Sequence, residues 1–273
     1  MNKANIGIDL GGTKLLIICG NERCRIETGP DFSPALMETK IRDFLKERDI
    51  DPTGIGIAVP GLVDRAGNIG ACDVLPKMTG WAPAETFTDL GCKVVAINDV
   101  KAALAEEMHD AEGGITAGVI MVGTAVGAAF LTEGIPLLGA TGLAGELGYM
   151  PVSINGEIKR LDELAGGAFL AAKLNINGKR LAELAKSGDA TVLAAIREGG
   201  YFLGIALAAV INLLNPSRLA LGGGTISLPG YFNAAREAAA EHTIPELWQA
   251  CSLSGIRSGE TVAALGALRC VQA

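Results

Sequence analysis

Carboxylates beside apolar segments are the residues of this sequence best suited to chemistry. Asp9 lies in an apolar segment, just before Gly11 and Gly12. A buried carboxylate is costly unless a cation or hydrogen-bond donors compensate its charge. Asp9 could therefore support Mg²⁺ through water, while the amides of Gly11, Gly12 and Thr13 face a phosphate. The alternative is an aspartate that only closes the turn with an Asx-type hydrogen bond.

A second carboxylate follows the apolar segment 94–97. Asn98 and Asp99 stand between this segment and a helical pattern, so either residue could simply be the helix N-cap. The C-terminal end of a strand is also where ligands bind in open α/β sheets. Phosphoryl transfer needs a base that orients a hydroxyl group and accepts its proton, and Asp99 could be that base.

Two more glycine-rich segments could bring backbone close to a nucleotide. In Gly123–Gly127 the glycines permit close approach to phosphate oxygens and Thr124 adds a hydroxyl donor, although an ordinary hairpin turn would look the same. Gly222–Thr225 follows a strand pattern and could lie against a flat nucleotide. The sequence contains no Walker A loop, because G-x-x-x-x-G-K-[ST] does not occur.

Two loop segments could contact a substrate. Glu146, within Ala144–Tyr149, could accept hydrogen bonds from a polyol, or it could be a solvated loop carboxylate. Pro60 and Gly61 predict a rigid turn that could shape a pocket, although such a turn needs no function.

Strands and helices must position these residues, and their alternation predicts an α/β architecture. Ile6–Cys19 and Gly118–Leu131 each read as strand, glycine turn and strand, and hairpin turns of this kind need positive φ. We interpret them as the starts of two similar halves that meet near residues 110–117. Further strands are expected at Gly54–Val59, Val94–Ile97 and Arg218–Leu221. Helices are expected at Ala35–Arg48, from near Val100 through Ala102–Met108, and at Asp162–Ala172, Lys179–Ala185, Thr191–Leu214, Pro229–Glu241 and Glu260–Val271.

Composition limits the partners and the compartment. Hydrophobic residues make up 49% of the chain, enough for a core, and the net charge of −7 disfavours nucleic acid and anionic membranes as partners. No secretory signal is evident at the N-terminus, and the apolar stretch Tyr201–Leu214 is shorter than a membrane span, which favours a buried helix. The 6 cysteines form no C-x-x-C pair, so we expect reduced thiols in a cytoplasmic protein.

The order and spacing of these motifs resemble the ROK family, named for repressors, open reading frames and kinases, over nearly the whole chain. The segments similar to its motifs are Ile6–Lys14 (first phosphate motif), Gly56–Asp64 (Gly-Pro-Gly loop), Ile97–Ala102 (catalytic segment), Met121–Gly127 (second phosphate motif), Leu221–Thr225 (adenosine motif) and Gly259–Ala267 (closing helix). The resemblance implies that Asp99 is the catalytic base and that Asp9 supports Mg²⁺.

The resemblance also implies the ligand contacts. Phosphates and adenosine of ATP would be held by Gly11, Gly12, Thr13, Lys14, Gly123, Thr124, Gly223 and Gly224. Hydroxyl groups of a sugar would meet Asn98, Glu146, Gly61, Tyr149, Asp162 and Lys77.

Several residues depart from the pattern of the family. Where many members have His followed by a cysteine-rich zinc motif, this chain has Tyr149 and no Cys in Ser153–Leu164, so no zinc site is expected. Asp162 takes the place of a Glu. Lys77 replaces the Asn of a Leu-Pro-Asn segment, so it could meet an acidic substrate or point to solvent.

The resemblance implies a two-lobed α/β fold of the actin-like, ribonuclease H-like ATPase type, with mixed central sheets and an interdomain cleft. Residues 1–110, completed by a C-terminal helix at 259–273, would form the first lobe, and residues 111–258 the second. The expected function is phosphorylation of a hexose, amino sugar or polyol by ATP with Mg²⁺, in a homodimer that binds neither DNA nor membranes.

Two other functions remain open on the sequence. One is a catalytically inactive sensor of sugar and nucleotide, suggested by Tyr149 and Lys77. The other is an actin- or chaperone-like ATPase, which the lack of an added partner-binding domain disfavours.

Overall fold

The computed structural model describes residues 2–111 and 113–272. The strands are β1 (Asn2–Leu10), β2 (Lys14–Cys19), β3 (Glu22–Glu27), β4 (Ile50–Val59), β5 (Leu62–Val63), β6 (Ile69–Ala71), β7 (Lys93–Asn98), β8 (Ala117–Val122), β9 (Val126–Thr132), β10 (Ile135–Pro136), β11 (Pro151–Ile154), β12 (Glu157–Arg160), β13 (Arg218–Gly222) and β14 (Ser252–Gly255). The helices are α1 (Pro34–Glu47), α2 (Pro83–Thr86), α3 (Asp99–Glu107), α4 (Asp162–Ala165), α5 (Gly167–Lys173), α6 (Gly178–Ser187), α7 (Ala190–Leu214), α8 (Tyr231–His242), α9 (Pro245–Ala250) and α10 (Val262–Gln272).

The chain divides into two compact units. The first comprises Met1–Asp110, Leu138–Ala144 and Arg257–Ala273. The second comprises Ala111–Leu137 and Gly145–Ile256. Each unit therefore draws on segments that are separated along the sequence.

The main sheets of the two units have the same topology. The first has the strand order β3-β2-β1-β4-β7 and the second has the order β10-β9-β8-β13-β14, each with 5 strands. In both sheets the first two pairings are antiparallel hairpins and the last two are parallel. The predicted repeat of two similar halves, each starting with a hairpin, is confirmed.

In the first unit, glycines allow α10 to lie directly on the sheet and directly against α3. A Cβ at Gly56 of β4 would be 2.0 Å from the carbonyl oxygen of Ala267 on α10, and one at Gly266 would be 1.7 Å from the carbonyl oxygen of Ala102 on α3. These contacts have no room for a side chain. On the other face, apolar residues of β1 such as Ile6 and Ile8 are fully buried in the main core.

The second unit is built around the long helix α7. This helix is apolar and long enough to cross a membrane. However, 61% of its most apolar 18-residue segment is buried inside the protein. It packs against α8, where a Cβ at Gly204 would be 2.5 Å from the carbonyl oxygen of Ala235. The helix at Tyr201–Leu214 is mostly buried, as expected, but the expectation of a segment shorter than a membrane span is wrong, because α7 has 25 residues.

Residues 150–173 differ from the expectation of one helix at Asp162–Ala172. The helix is interrupted between α4 and α5 at Gly166, whose φ of −69° and ψ of 144° are extended. Before it, β11 and β12 form a hairpin that was not predicted. The hairpin turns at Asn155 and Gly156, whose φ angles are 51° and 85°. An Asn-Gly pair is typical of two-residue hairpin turns, so the signal was present in the sequence.

Candidate functional site

The loop of the first hairpin joins β1 to β2 and carries free backbone amides. The Gly11 N–H donates to the Lys14 carbonyl at 2.8 Å, and the Gly11 carbonyl accepts from the Thr28 hydroxyl at 2.7 Å. The N–H groups of Gly12 and Thr13 donate to no protein atom within residues 2–111 and 113–272. The loop therefore offers Gly12 and Thr13 as donors to an anion, and the amide of Gly11 is already engaged.

The expectation of positive φ at Gly11 and Gly12 is wrong. Neither residue is in the left-handed region. Since β1 ends at Leu10 and β2 begins at Lys14, the connection has one residue more than a two-residue turn and does not need the left-handed conformation there. The glycines matter instead because they leave the backbone of the loop open to close approach.

The second hairpin loop repeats this arrangement. The Gly123 N–H donates to the Ala125 carbonyl at 3.0 Å, and the Gly123 carbonyl accepts from the Thr225 hydroxyl at 2.8 Å. The N–H groups of Thr124 and Ala125 have no acceptor in the described part of the chain. This loop also presents free amides to an anion.

The triple-glycine segment lies against the end of β8. Gly223 has a φ of 99°, and a Cβ there would be 2.4 Å from the carbonyl oxygen of Val122. Only glycine fits that position. A Cβ at Gly224 would meet no atom within 4 Å, so its surface is open. The structure thus brings the predicted nucleotide residues 123–124 and 223–224 together at one end of the second sheet.

Asp9 carries a partly buried carboxyl group without a hydrogen-bond partner in the described residues. Burial raises its pKa to about 6, and the nearby ammonium group of Lys14 only partly opposes this effect. The alternative in which Asp9 closes the turn with an Asx-type bond is therefore wrong. A carboxyl oxygen that has no hydrogen-bond partner in the described residues and is only partly buried fits a hard cation such as Mg²⁺.

Asn98 is the N-cap of α3, and Asp99 is its first helical residue. The Asn98 side-chain oxygen accepts from the N–H groups of Val100 at 3.0 Å and Lys101 at 3.2 Å. Its amide nitrogen donates to the Gly61 carbonyl at 3.1 Å. Asn98 is the cap, and the Asp99 carboxylate lies at the positive end of the helix, where one of its oxygens also accepts from the Val100 N–H at 2.9 Å.

Asp9 and Asp99 lie on the same edge of the first sheet. Asp9 of β1 pairs with Ala58 of β4, and Ala58 pairs with Ile97 of β7. Neighbouring strands are about 4.8 Å apart, so the Cα atoms of Asp9 and Ile97 are about 10 Å apart. Asp99 follows Ile97 by two residues. The carboxyl ends of three parallel strands thus collect both candidate carboxylates.

Several residues near this edge were missed by sequence reasoning. The Cys72 thiol donates to the Pro60 carbonyl at 3.0 Å, and its pKa is raised by burial and, to a lesser extent, by Asp99. Lys101 donates to the Gly142 carbonyl. These contacts join segments that are distant in sequence, so no local sequence pattern predicts them.

The two lysines expected to contact ligands are paired with carboxylates. The Lys14 ammonium lies 2.8 Å from a carboxylate oxygen of Glu260. The Lys77 ammonium lies 2.7 Å from Asp31, in a pair exposed to solvent. Each lysine must exchange or share its partner to reach a ligand.

In the second unit, Asp162 is held by the second hairpin. One of its carboxylate oxygens accepts from the Val126 N–H at 2.6 Å, and a Cβ at Gly148 would be 2.3 Å from this oxygen. Gly148 follows Glu146, so the segments of Glu146 and Asp162 touch. The ring of Tyr149 is 57% exposed and lies 5.0 Å below the guanidinium group of Arg160.

No metal cluster accompanies the β11–β12 hairpin. Within residues 2–111 and 113–272, no group of three or more His, Cys, Asp or Glu side chains is placed to hold a metal ion. The hairpin is instead closed by the Leu161 N–H, which donates to the Met150 carbonyl at 2.9 Å. All 6 cysteines are free thiols, as the sequence predicts.

Comparisons with known proteins find relatives over most of the chain. A glucokinase from Halalkalibacterium halodurans is 27% identical over 268 residues, which cover 80% of this chain and 79% of the relative. A xylose repressor from Bacillus spizizenii is 24% identical over 280 residues, which cover 94% of this chain and 71% of the repressor. The crystal structure of a ROK family glucokinase from Streptomyces griseus, in complex with glucose and AMPPNP, matches with a TM-score of 0.81 at 21% identity, covering 98% of this chain and 99% of that one.

The ROK family model matches residues 5–273. This span includes both glycine hairpins, Asp99 and the triple-glycine segment. The fold is that of the actin-like ATPases to which ROK sugar kinases belong, as the sequence predicts. The chain therefore belongs to the ROK family.

Proposed function

We propose that this protein is an ATP-dependent sugar kinase. The observation that carries the proposal is the placement of Asp9 and Asp99 on one edge of the first sheet. The carboxyl group of Asp9 is partly buried without a hydrogen-bond partner in the described residues, and that of Asp99 lies at a helix N-terminus. Transfer of a phosphoryl group to a hydroxyl needs one group to position the metal and another to take the proton. Relatives named glucokinase, N-acetylgalactosamine kinase and N-acetyl-D-glucosamine kinase support the assignment.

In this proposal each residue of the candidate site has a separate role in binding or proton transfer. Asp99 accepts the proton of the sugar hydroxyl, and Asn98 fixes the start of α3 so that Asp99 keeps its position. The free amides of the two hairpin loops hold phosphate oxygens, and Gly223 and Gly224 lie beside the adenosine. Mg²⁺, when bound, neutralises phosphate charge, and Asp9 is the residue that would hold it.

The substrate we favour is an uncharged sugar. Lys77, the cation that could have selected an acidic substrate, is paired with Asp31 at 2.7 Å. In the second unit, Arg160 over Tyr149 also has a carboxylate, Glu163, at 3.6 Å. Since both cations already have carboxylate partners, an acidic sugar gains little from them. Glu146 and Asp162 supply acceptors for hydroxyl groups and would repel a carboxylate.

A second candidate function is a sensor that binds sugar and nucleotide without turnover. The similarity to xylose repressors favours it. So does Tyr149, which takes the place of the histidine found in many members. The carboxyl groups of Asp9 and Asp99 argue for catalysis, because binding alone has no use for a base beside the phosphate.

The test is release of ADP from ATP and Mg²⁺ with glucose, mannose, N-acetylglucosamine, N-acetylmannosamine, gluconate, glucuronate and simple polyols. We expect a neutral hexose or amino sugar to stimulate release. Asp99→Asn should lower kcat at least a hundredfold and leave nucleotide affinity nearly unchanged, because the loops that bind phosphate are intact. The matched control is Asp43→Asn, which changes an exposed aspartate on α1 and should keep full activity.

Three outcomes separate the alternatives. Turnover that survives Asp99→Asn would overturn the role of Asp99. Binding of both sugar and nucleotide without ADP release would favour the sensor. A preference for gluconate or glucuronate that is lost in Lys77→Met would show that Lys77 leaves Asp31 to meet the substrate.

A further inference from the structure

A small pocket opens in the second unit, away from the glycine loops. It has a volume of about 250 Å³ and is lined by Phe232, Arg236, Trp248, Cys251 and Leu253. Phe232 and Arg236 are four residues apart on α8 and therefore share a face of that helix. The other lining residues come from α9, from the residue after it and from β14, the edge strand of the sheet.

The walls of this pocket present hydrogen-bond donors and aromatic surface. Arg236 is exposed and makes no hydrogen bond or ion pair within residues 2–111 and 113–272. The indole N–H of Trp248 also has no acceptor there, whereas the indole N–H of Trp81 donates to Thr86 at 2.7 Å. Burial raises the pKa of the Cys251 thiol to about 11, so this side chain stays protonated and neutral near pH 7.

No carboxylate lines the pocket, although the chain as a whole carries a net charge of −7. Arg236 therefore gives the site a positive charge that nothing in the pocket neutralises. A guanidinium group binds a carboxylate through two parallel hydrogen bonds, and the rings of Trp248 and Phe232 offer flat apolar walls. The lining thus complements a molecule with a planar apolar body and a single anionic end.

The pocket is separate from the predicted nucleotide site. Leu253 pairs with Leu219, near the start of β13, whereas Gly223 follows the end of that strand. Four residues of β-strand span about 13 Å. The pocket therefore lies toward the opposite end of the sheet from the glycine loops.

We propose that this pocket binds a small aromatic carboxylate. The carboxylate pairs with Arg236 and accepts from the Trp248 indole N–H, while the ring lies between the aromatic side chains and Leu253. The volume equals that of about eight water molecules, which suits a one- or two-ring compound. Ligand binding at this pocket does not depend on kinase activity, so this proposal can be tested independently of the proposed function.

The test follows the indole N–H signals of the full-length protein by NMR during titration with 2-naphthoate, with 2-naphthylmethanol as the neutral probe of similar shape. The chain has 2 tryptophans, so Trp248→Phe identifies the signal that belongs to the pocket. We expect 2-naphthoate to shift the Trp248 signal and leave that of Trp81 in place. The neutral alcohol should bind at least tenfold more weakly.

Two arginine variants decide the role of the charge. Arg236→Met should weaken 2-naphthoate binding at least tenfold, and Arg236→Lys should fall between, because it keeps the charge and loses the paired hydrogen bonds. The control is Arg197→Met on α7, outside the pocket, which should bind as the original protein does. Equal binding of the alcohol and the carboxylate, unchanged binding in Arg236→Met, or a Trp248 signal that does not move at millimolar 2-naphthoate would overturn the proposal.

Discussion

Asp9 lowers the folding stability of the unliganded protein and at the same time provides a candidate ligand site. Its carboxyl group is partly buried at the end of a strand and has no hydrogen-bond partner in the described residues, so the folded protein favours the protonated form more than the unfolded chain does. A cation at this position would reverse that preference. The ionised carboxyl group thus destabilises the unliganded protein, and it contributes favourable interactions once Mg²⁺ and ATP are bound.

Replacing Asp9 with Asn should therefore stabilise the unliganded protein. The pKa is about 6 in the folded state against 3.8 for the free side chain. Stability from this group is fully present below pH 3.8 and is lost as the pH rises through 6. At pH 7.5 the variant should gain up to about 3 kcal/mol in unfolding free energy, and the gain should fade toward pH 4.

The measurement is urea unfolding of both proteins at several pH values without ligand, together with Mg²⁺-dependent ATP binding. In Asp9→Asn, Mg²⁺ should no longer raise the affinity for ATP. The exposed variant Asp43→Asn should show neither effect. A stability gain that is independent of pH would refute the explanation by burial.

At the scale of elements, the sequence predicted what local patterns determine. Strand alternation and glycine turns located both hairpins, and the apolar pattern before Asn98 located β7 and α3. The Asn155-Gly156 turn could have revealed the β11–β12 hairpin. Two features lay beyond local patterns. Gly11 and Gly12 are free of positive φ because the loop is longer than the pattern suggested, and Cys72 reaches Pro60 only through tertiary packing.

The close packing of α10 against α3 could not be predicted from the sequence either, and Gly266 provides a test of it. A Cβ at Gly266 of α10 would lie 1.7 Å from the carbonyl oxygen of Ala102 on α3. Gly266→Ala should force the helices apart and cost about 3 kcal/mol of unfolding free energy. Gly29→Ala, where a Cβ meets no atom within 4 Å, should change stability by less than about 0.5 kcal/mol.

Thermal and urea unfolding of the two alanine variants would check this prediction. Equal stabilities would mean that α10 does not lie as close to α3 as described.

At the scale of the whole molecule, a buried carboxylate joins remote parts of the chain. The side chain of Glu107, at the end of α3, is 0% exposed. It accepts from the backbone N–H groups of Arg257 at 2.7 Å and Ser258 at 3.1 Å. Arg257 also pairs with Asp110. This network fixes the segment that leads into α10, so the first unit depends on residues about 150 positions apart in sequence.

Glu107→Ala should destabilise the protein by roughly 1 to 3 kcal/mol, because it leaves the N–H groups of Arg257 and Ser258 without their acceptor and removes the buried carboxylate that faces the partly exposed Arg257 side chain. Glu107→Gln, which keeps the shape and one acceptor, should cost less. Hydrogen exchange should show the loss in α3 and α10 first. If protection falls uniformly along the chain, the network does not act locally on the first unit.

The position of α10 also bears on how the protein is made. This helix covers Leu16, Ile18 and the glycines of β1 and β4, yet the ribosome reaches it only after the whole of the second unit. Until then, one face of the first sheet is uncovered. The usual order, in which the N-terminal part of a chain folds first, cannot hold here. The strands of the first sheet must wait for α10 before this face is covered, and during that wait its apolar residues are open to chaperones and to aggregation.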